Sequence, residues 1–558
     1  MELVRLPVWS PSTYISLSLG TMPSVYPTMT LTSLLHAALV FLVSVPAANS
    51  ASAAVVDLGY AQYEGVVDTK LNITAFRGIR YAAPPTGSLR FQAPSPPSKL
   101  AGIQQAFADP PQCHQGVFGA SPTNSLTARD VEQTEDCLFL SVYSPALNST
   151  VPLPTIVWIH GGGYVLGSAS QYNGAELVQE SNNQVVVVVI QYRLGLFGFL
   201  AGQQMKDNGT LNAGLLDQEF ALRWVNKNIH KFGGDPNKVT IWGESAGAGS
   251  VLQHVVAHNG TTTPRLFRAA IASSTFLPSQ YRYNDRIPQA LFNEVAAEAG
   301  CDGAEPLDCL RKVDCTILGD INVKITLAGF QGTFSFGPVI DGSFITHGPT
   351  DTLLQGKLNT DILLSVTNTN EGPLFVNQSA EYDVAEYVRN LFPLFGVEES
   401  KAVAAVYEPL GAPLDQVNAI MGDAILMCPT YTLLDAFSGK SYKAEYAIPP
   451  ALHAQDIINY YPSFTGAPVF NATLIYNNTA FINAFTQIFL SFAVNLDPND
   501  KLRASITPAW RKWSRAEEME MVFNKTKLGA PHVAPSYTSS ALLKRCEFWK
   551  SVRHLTGH

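Results

Sequence analysis

Charge is scarce in this chain. Only 15% of its 558 residues are Asp, Glu, Lys or Arg, and the acids outnumber the bases 45 to 36. So small a positive complement argues against a face that could follow a phosphate backbone, and no nucleic-acid partner is expected. None of the seven cysteines forms a Cys-x-x-Cys pair, the spacing that structural zinc sites favour, so zinc is not expected. There is no internal repeat, and after residue 55 there is no linker rich in Pro, Gly or charge. Outside the N-terminus no apolar run approaches membrane-spanning length. With 46% hydrophobic residues to bury, disorder is excluded as well. What remains is a globular fold.

Cations are almost missing from the start of the chain, where Arg5 is the only Lys or Arg before Lys70. The apolar stretch Leu34 to Val45 has signal-peptide length, and the small residues Ala47, Ala48, Ser50 and Ala51 follow it. Its cationic region is poor, although a start at Met22 or Met29 would let the α-amino group supply the charge. Residues 1–50 are read as a leader with a signal peptide at about 29–50, and 51–558 as one domain, exported to the extracellular space without a stable membrane span. Eight Asn-x-Ser/Thr sequons agree with export: Asn72, Asn148, Asn208, Asn259, Asn377, Asn471, Asn477 and Asn524. In an oxidising compartment, seven cysteines make three disulfides and one free thiol.

Short apolar runs recur at 155–159, 184–190, 239–242, 269–272, 361–366 and 444–448. Runs without alternation are expected where helices cover both faces of a strand. Asp217 to Ile229 has helical periodicity, with Phe220, Leu222, Trp224, Val225 and Ile229 on its buried side, and the stretch after Ser245 also reads as helix. Strands alternating with helices give an α/β fold with a mostly parallel sheet. The segments 278–350 and 373–435, rich in Pro and aromatics, read as helical caps over its C-terminal edge.

Two motifs carry chemistry. Gly243-Glu244-Ser245-Ala246-Gly247 stands directly between a strand and a helix, the context that gives G-x-S-x-G its meaning as a nucleophile turn. His160-Gly161-Gly162-Gly163 follows an upstream strand. Such a run supplies backbone donors for the oxyanion of a tetrahedral intermediate, assigned to Gly162, Gly163 and Ala246. No Lys follows the glycines, so a phosphate cradle is a poor fit.

Tyr192-Arg-Leu-Gly195, Asn212-Ala-Gly-Leu-Leu-Asp-Gln218, Phe232-Gly-Gly-Asp-Pro236 and the Val239–Gly247 run resemble the type-B carboxylesterase/lipase family. Glu135-Asp-Cys-Leu138 and Phe336-Gly-Pro-Val-Ile-Asp-Gly342 do so too. That family includes cholinesterases and fungal secreted lipases and carboxylesterases, and the resemblance runs from about Val55 to the C-terminus. It implies the α/β-hydrolase fold with triad order Ser, Glu, His. Asn368-Thr-Asn-Glu371-Gly372 matches the acid's motif and His453-Ala-Gln-Asp456-Ile457 the base's. Ser245, Glu371 and His453 are therefore the expected catalytic residues, with His160 the chief rival as base. Arg193 and Asp217 read as members of internal ion pairs, Glu244 as a residue that tunes the field or meets a buried partner, and Thr275 as a hydrogen-bonding group behind the triad.

The resemblance also implies disulfides Cys113–Cys137, closing a loop over the active site, and Cys301–Cys309, with Cys428–Cys546 a third and Cys315 left free. The first loop holds 23 residues and is polar, which favours soluble esters over lipid interfaces. Cholinesterases carry a tryptophan where Thr127 stands, so choline esters are not the expected substrate. The main expectation is a secreted serine carboxylesterase acting on a small ester and needing no metal or cofactor. A lipase or sterol esterase for long acyl chains is the alternative, with Phe330 to Phe336 and Leu391 to Phe395 lining a tunnel. A non-catalytic binding protein is a third reading, against which all three triad residues stand. Oligomeric state is left open.

Overall fold

Runs such as Val186-Val-Val-Val-Ile190 bury every side chain, which requires cover on both faces, and a sheet inside helical layers provides it. The computed structural model describes residues 54–119, 133–145, 147, 150–466 and 475–558. The signal-peptide segment, the sequons Asn148 and Asn471 and the middle of the Cys113–Cys137 loop lie outside them.

The strands are β1 (Ala54–Asp57), β2 (Gln62–Asp68), β3 (Ile73–Arg80), β4 (Ile103–Gln105), β5 (Phe139–Ser144), β6 (Leu153–Ile159) and β7 (Val186–Ile190). β8 (Gly234–Glu244), β9 (Ala269–Ser273), β10 (Leu363–Asn368), β11 (Ser441–Tyr446), β12 (Met519–Lys525) and β13 (Pro531–Tyr537) complete the sheet. Their order is β1-β2-β3-β5-β7-β6-β8-β9-β10-β11-β12-β13, with β4 beside β2. From β7 to β12 every neighbouring pair is parallel. Antiparallel strands close both ends, with β1, β2, β3 and β5 at one and β13 at the other. All six expected strands are present.

Successive residues of the central strands feed opposite faces. Val157, Ile159 and Ile241 join one core, against the helices Ala213–Asn228 and Ala246–Gly260. Ile156, Trp158 and Trp242 join the other. There Trp158 meets Trp242 edge-on at 5.1 Å, and Trp242 stacks at 4.4 Å on Phe489 of the helix Thr479–Asn495. The helix expected at 217–229 starts at Ala213, and Phe220 is only half-buried. Its buried side also holds Asp217, because Arg193 donates to both carboxylate oxygens at 2.7 Å and removes the cost of an unpaired buried charge. A second buried fork joins Arg90 to Glu135 at 2.6 and 2.7 Å, next to Cys137.

The two caps are helical. The first contains Arg286–Glu298 and Cys315–Ala328, the second Val384–Leu391, Val397–Tyr407 and Pro413–Gly422. The run Pro413–Ala436 is, contrary to the sequence reading, apolar and long enough to cross a membrane, but 89% of its apolar window is buried in the protein, which makes it a core element. Disulfides join Cys113 to Cys137, Cys301 to Cys309 and Cys428 to Cys546, and Cys315 is a free thiol.

Candidate active site

The turn after β8 depends on glycine for space. A Cβ on Gly247 would lie 2.0 Å from the Ile159 carbonyl oxygen, and one on Gly243 would lie 2.4 Å from the Gly247 backbone. With both side chains absent, β8 and the helix from Ala246 draw together and force Ser245 into a sharp bend at φ 57° and ψ −124°. A non-glycine residue with positive φ is strained, and such strain clusters at functional sites. Ser245 N–H donates to Ser273 O at 2.9 Å, which ties the bend to the end of β9.

Glu371 and His453 come from the loops after β10 and β11. These strands are paired through Asn368 and Tyr446, and the loops stay joined beyond them, since Asn370 N–H donates to Ala451 O at 2.9 Å. Gly372 permits close backing of the acid, because a Cβ there would meet Asn418 O at 1.8 Å. The result is a continuous relay. His453 Nε2 lies 2.9 Å from Ser245 Oγ, and His453 Nδ1 lies 2.6 Å from Glu371 Oε2. The other carboxylate oxygen of Glu371 accepts from Ser274 Oγ and from Asn368 N–H, each at 2.7 Å. All three relay residues are buried. A serine hydroxyl in contact with a base whose far nitrogen is fixed by a carboxylate is the arrangement that activates a nucleophile.

Two further buried carboxyl groups face the same imidazole. Glu244 Oε1 lies 3.4 Å from His453 Nε2 and has no hydrogen-bond partner among the described residues. Burial drives this carboxyl up to about 8, against the pull of the His453 imidazole. Asp456 accepts from Asn368 Nδ2 and from Tyr460 Oη, both at 3.0 Å, and burial raises it to about 6. Burial alone would depress His453, but Glu244, Glu371 and Asp456 outweigh it and hold the imidazole above the ordinary histidine value. His160 differs. It stacks on Tyr192 at 4.4 Å, its Nδ1 contacts Gly161 O, and burial lowers it to about 4. The structure brings Ser245, Glu371 and His453 together and leaves His160 outside the relay.

The glycine run approaches the serine from β6. A Cβ on Gly161 would lie 2.7 Å from Glu244 O and 3.0 Å from Ser245 Cβ, so only glycine fits. Gly162 and Gly163 adopt φ of 103° and 61°, which a glycine reaches without strain. The N–H groups of Gly162, Gly163 and Ala246 donate to no other described group, and Ala246 opens a helix whose N-terminus favours negative charge.

The carboxylesterase family matches this chain over residues 52–549. The chain belongs to that family. It is similar to the Secreted lipase of Arthroderma benhamiae, with 30% identity over 440 residues covering 75% of this chain and 83% of the relative. Carboxylesterase patB of Aspergillus clavatus is 30% identical over 498 residues, covering 79% and 89%. Among solved structures, Aspergillus niger EstA superposes with a TM-score of 0.81 at 30% identity, covering 91% of this chain and 99% of that one. The fold is that of the α/β-hydrolases, and the protein is a carboxylic ester hydrolase.

Beside the relay, this carboxylesterase holds a cavity of about 280 Å³ lined by Phe276, Phe330, Phe334, Phe336, Phe375 and Leu391, among others. Phe334 covers Gly163, where a Cβ would lie 2.0 Å from the ring, and Phe375 lies 5.0 Å from the His453 imidazole. Sequence reasoning missed Ser274. It placed the supporting hydroxyl at Thr275, whose Oγ1 is buried without a partner among the described residues. β9 ends at Ser273, and Ser274 turns at φ 57° to reach the acid, a bend that no sequence motif announced.

Proposed function

We propose that this carboxylesterase is an exported serine esterase that works through an acyl-enzyme on Ser245. His453 Nε2 takes the Ser245 proton as Oγ attacks the acyl carbon. The N–H groups of Gly162, Gly163 and Ala246 receive the oxyanion, and Glu371 fixes the imidazole tautomer. Collapse expels the alcohol, which takes the proton from His453, and a water then releases the acid by the same route. The observation that carries this reading is the unbroken contact series from Ser245 through His453 to Glu371. It also favours catalysis over a binding role. Replacing Ser245 by Ala removes only the hydroxyl, and kcat should fall by about 10⁴- to 10⁶-fold with melting unchanged. Wild-type turnover in that variant would remove Ser245 from the mechanism.

The cavity beside the triad is proposed as the acyl site. The polar Cys113–Cys137 loop offers little apolar surface to a lipid interface, so acyl groups of short to medium length are favoured. The lipase reading draws on the same cavity, because Phe330, Phe336 and Leu391 do line it. A profile of p-nitrophenyl esters from acetate to palmitate decides between them. Export is supported by the Arthroderma relative, a secreted lipase, and by the three disulfides.

A further inference from the structure

Most polar groups lining the acyl cavity are already satisfied. Thr333 Oγ1 donates to Phe330 O at 2.6 Å, and Ser335 Oγ to Ile325 O at 3.4 Å. Tyr281 is half-buried, and its hydroxyl pairs with Ser279. Asn390 is the exception. It is exposed, stands at the end of the helix Val384–Leu391, lines the cavity, and its amide makes no hydrogen bond to any described residue. The lining is therefore graded. Buried aromatic rings (Phe276, Phe336, Phe375) form the inner part, and Ser279, Tyr281 and Asn390 form a polar rim.

Such a gradient selects a substrate. Aromatic walls take a ring in edge or offset contact, at a gain beyond area burial alone. An apolar tail that reached the rim would gain nothing from the Asn390 amide, whereas a hydroxyl there can bond to it. We propose that Asn390 is a specificity-determining residue for acyl groups that carry a hydrogen-bonding substituent at their far end, with arylalkanoyl esters bearing a para-hydroxyl the best matched class. This inference rests on the assignment of the cavity as the acyl site.

The test compares p-nitrophenyl esters of phenylacetic, 3-phenylpropanoic and 4-phenylbutanoic acids, each with para-hydroxyl and with para-methyl. A hydroxyl and a methyl have nearly the same size, so their kcat/KM ratio isolates the polar contact. At one chain length the hydroxyl ester should be favoured about three- to tenfold, the return of a single neutral hydrogen bond, and in Asn390→Leu that ratio should fall to about one. A methyl preference at every length, or a hydroxyl preference that survives in Asn390→Leu, overturns the proposal. Failure of the underlying assignment looks different. Leu291→Trp puts a large side chain into the cavity wall and should shift the acetate to phenylpropanoate ratio at least about tenfold towards acetate, the effect of about 1.4 kcal/mol. If that ratio does not move, acyl groups do not enter this cavity.

Discussion

Around Ser245 and above it, the protein uses two different kinds of constraint. At the ends of β8, β9, β10 and β11 the backbone itself sets the positions. Gly243, Gly247, Gly161 and Gly372 each stand where any Cβ would meet backbone at well under van der Waals distance. The caps are built instead from side chains in contact, such as Phe334 against Phe276 at 5.4 Å and against Phe375 at 6.2 Å. Backbone contacts cannot relax by changing rotamers, while packed apolar side chains can be exchanged at similar volume for little cost. The reacting atoms are thus held by the rigid region, and the choice of acyl group lies in the adaptable one.

The comparison breaks most visibly at Gly247. Gly247→Val should lower folding stability by about 3 kcal/mol or more, because the branched side chain is driven into the Ile159 carbonyl. Chemical denaturation measures this, and a wild-type midpoint would show that the turn is looser than its contacts imply. A smaller effect is expected behind the acid. Ser274→Ala removes one of the donors to Glu371 and should reduce kcat about tenfold, whereas Thr275→Val, which loses an unpartnered hydroxyl, should change it less than about twofold. Equal effects of the two would mean that the Ser274 contact does not hold the acid.

The smallest effect is a shift in the pH profile. Protonated His453 cannot accept from Ser245, so activity is lost as pH falls through the folded-state value. Since that value is raised, the acid limb should lie above the ordinary histidine figure of about 6.5. Asp456→Asn removes one of the raising carboxyl groups and should move the limb down. A wild-type limb below 6, or an upward move in that variant, would contradict the electrostatic account.

The central sheet was legible because buried parallel strands are written as unbroken apolar runs, and the turn motifs mark where two of them end. The antiparallel ends were not. β2 reads Gln-Tyr-Glu-Gly-Val-Val-Asp with a partly exposed pattern, and β13 carries Pro531 and Pro535, which mark an edge strand rather than a central one. Phe220 fits the apolar stripe of its helix but is only half-buried, while the buried side takes in Asp217, which meets Arg193. Ser274 and Thr275 show the limit at the site itself. Both are small hydroxyl residues, and a positive φ that no motif announces decides which one reaches Glu371.

The claim that one hydroxyl carries the chemistry is tested most directly by covalent labelling. Diethyl p-nitrophenyl phosphate, given to the intact protein, should transfer one phosphoryl group per chain, located on Ser245 by peptide mass spectrometry, with activity lost in proportion. A label on any other residue, or full esterase activity in protein labelled at Ser245, would contradict it.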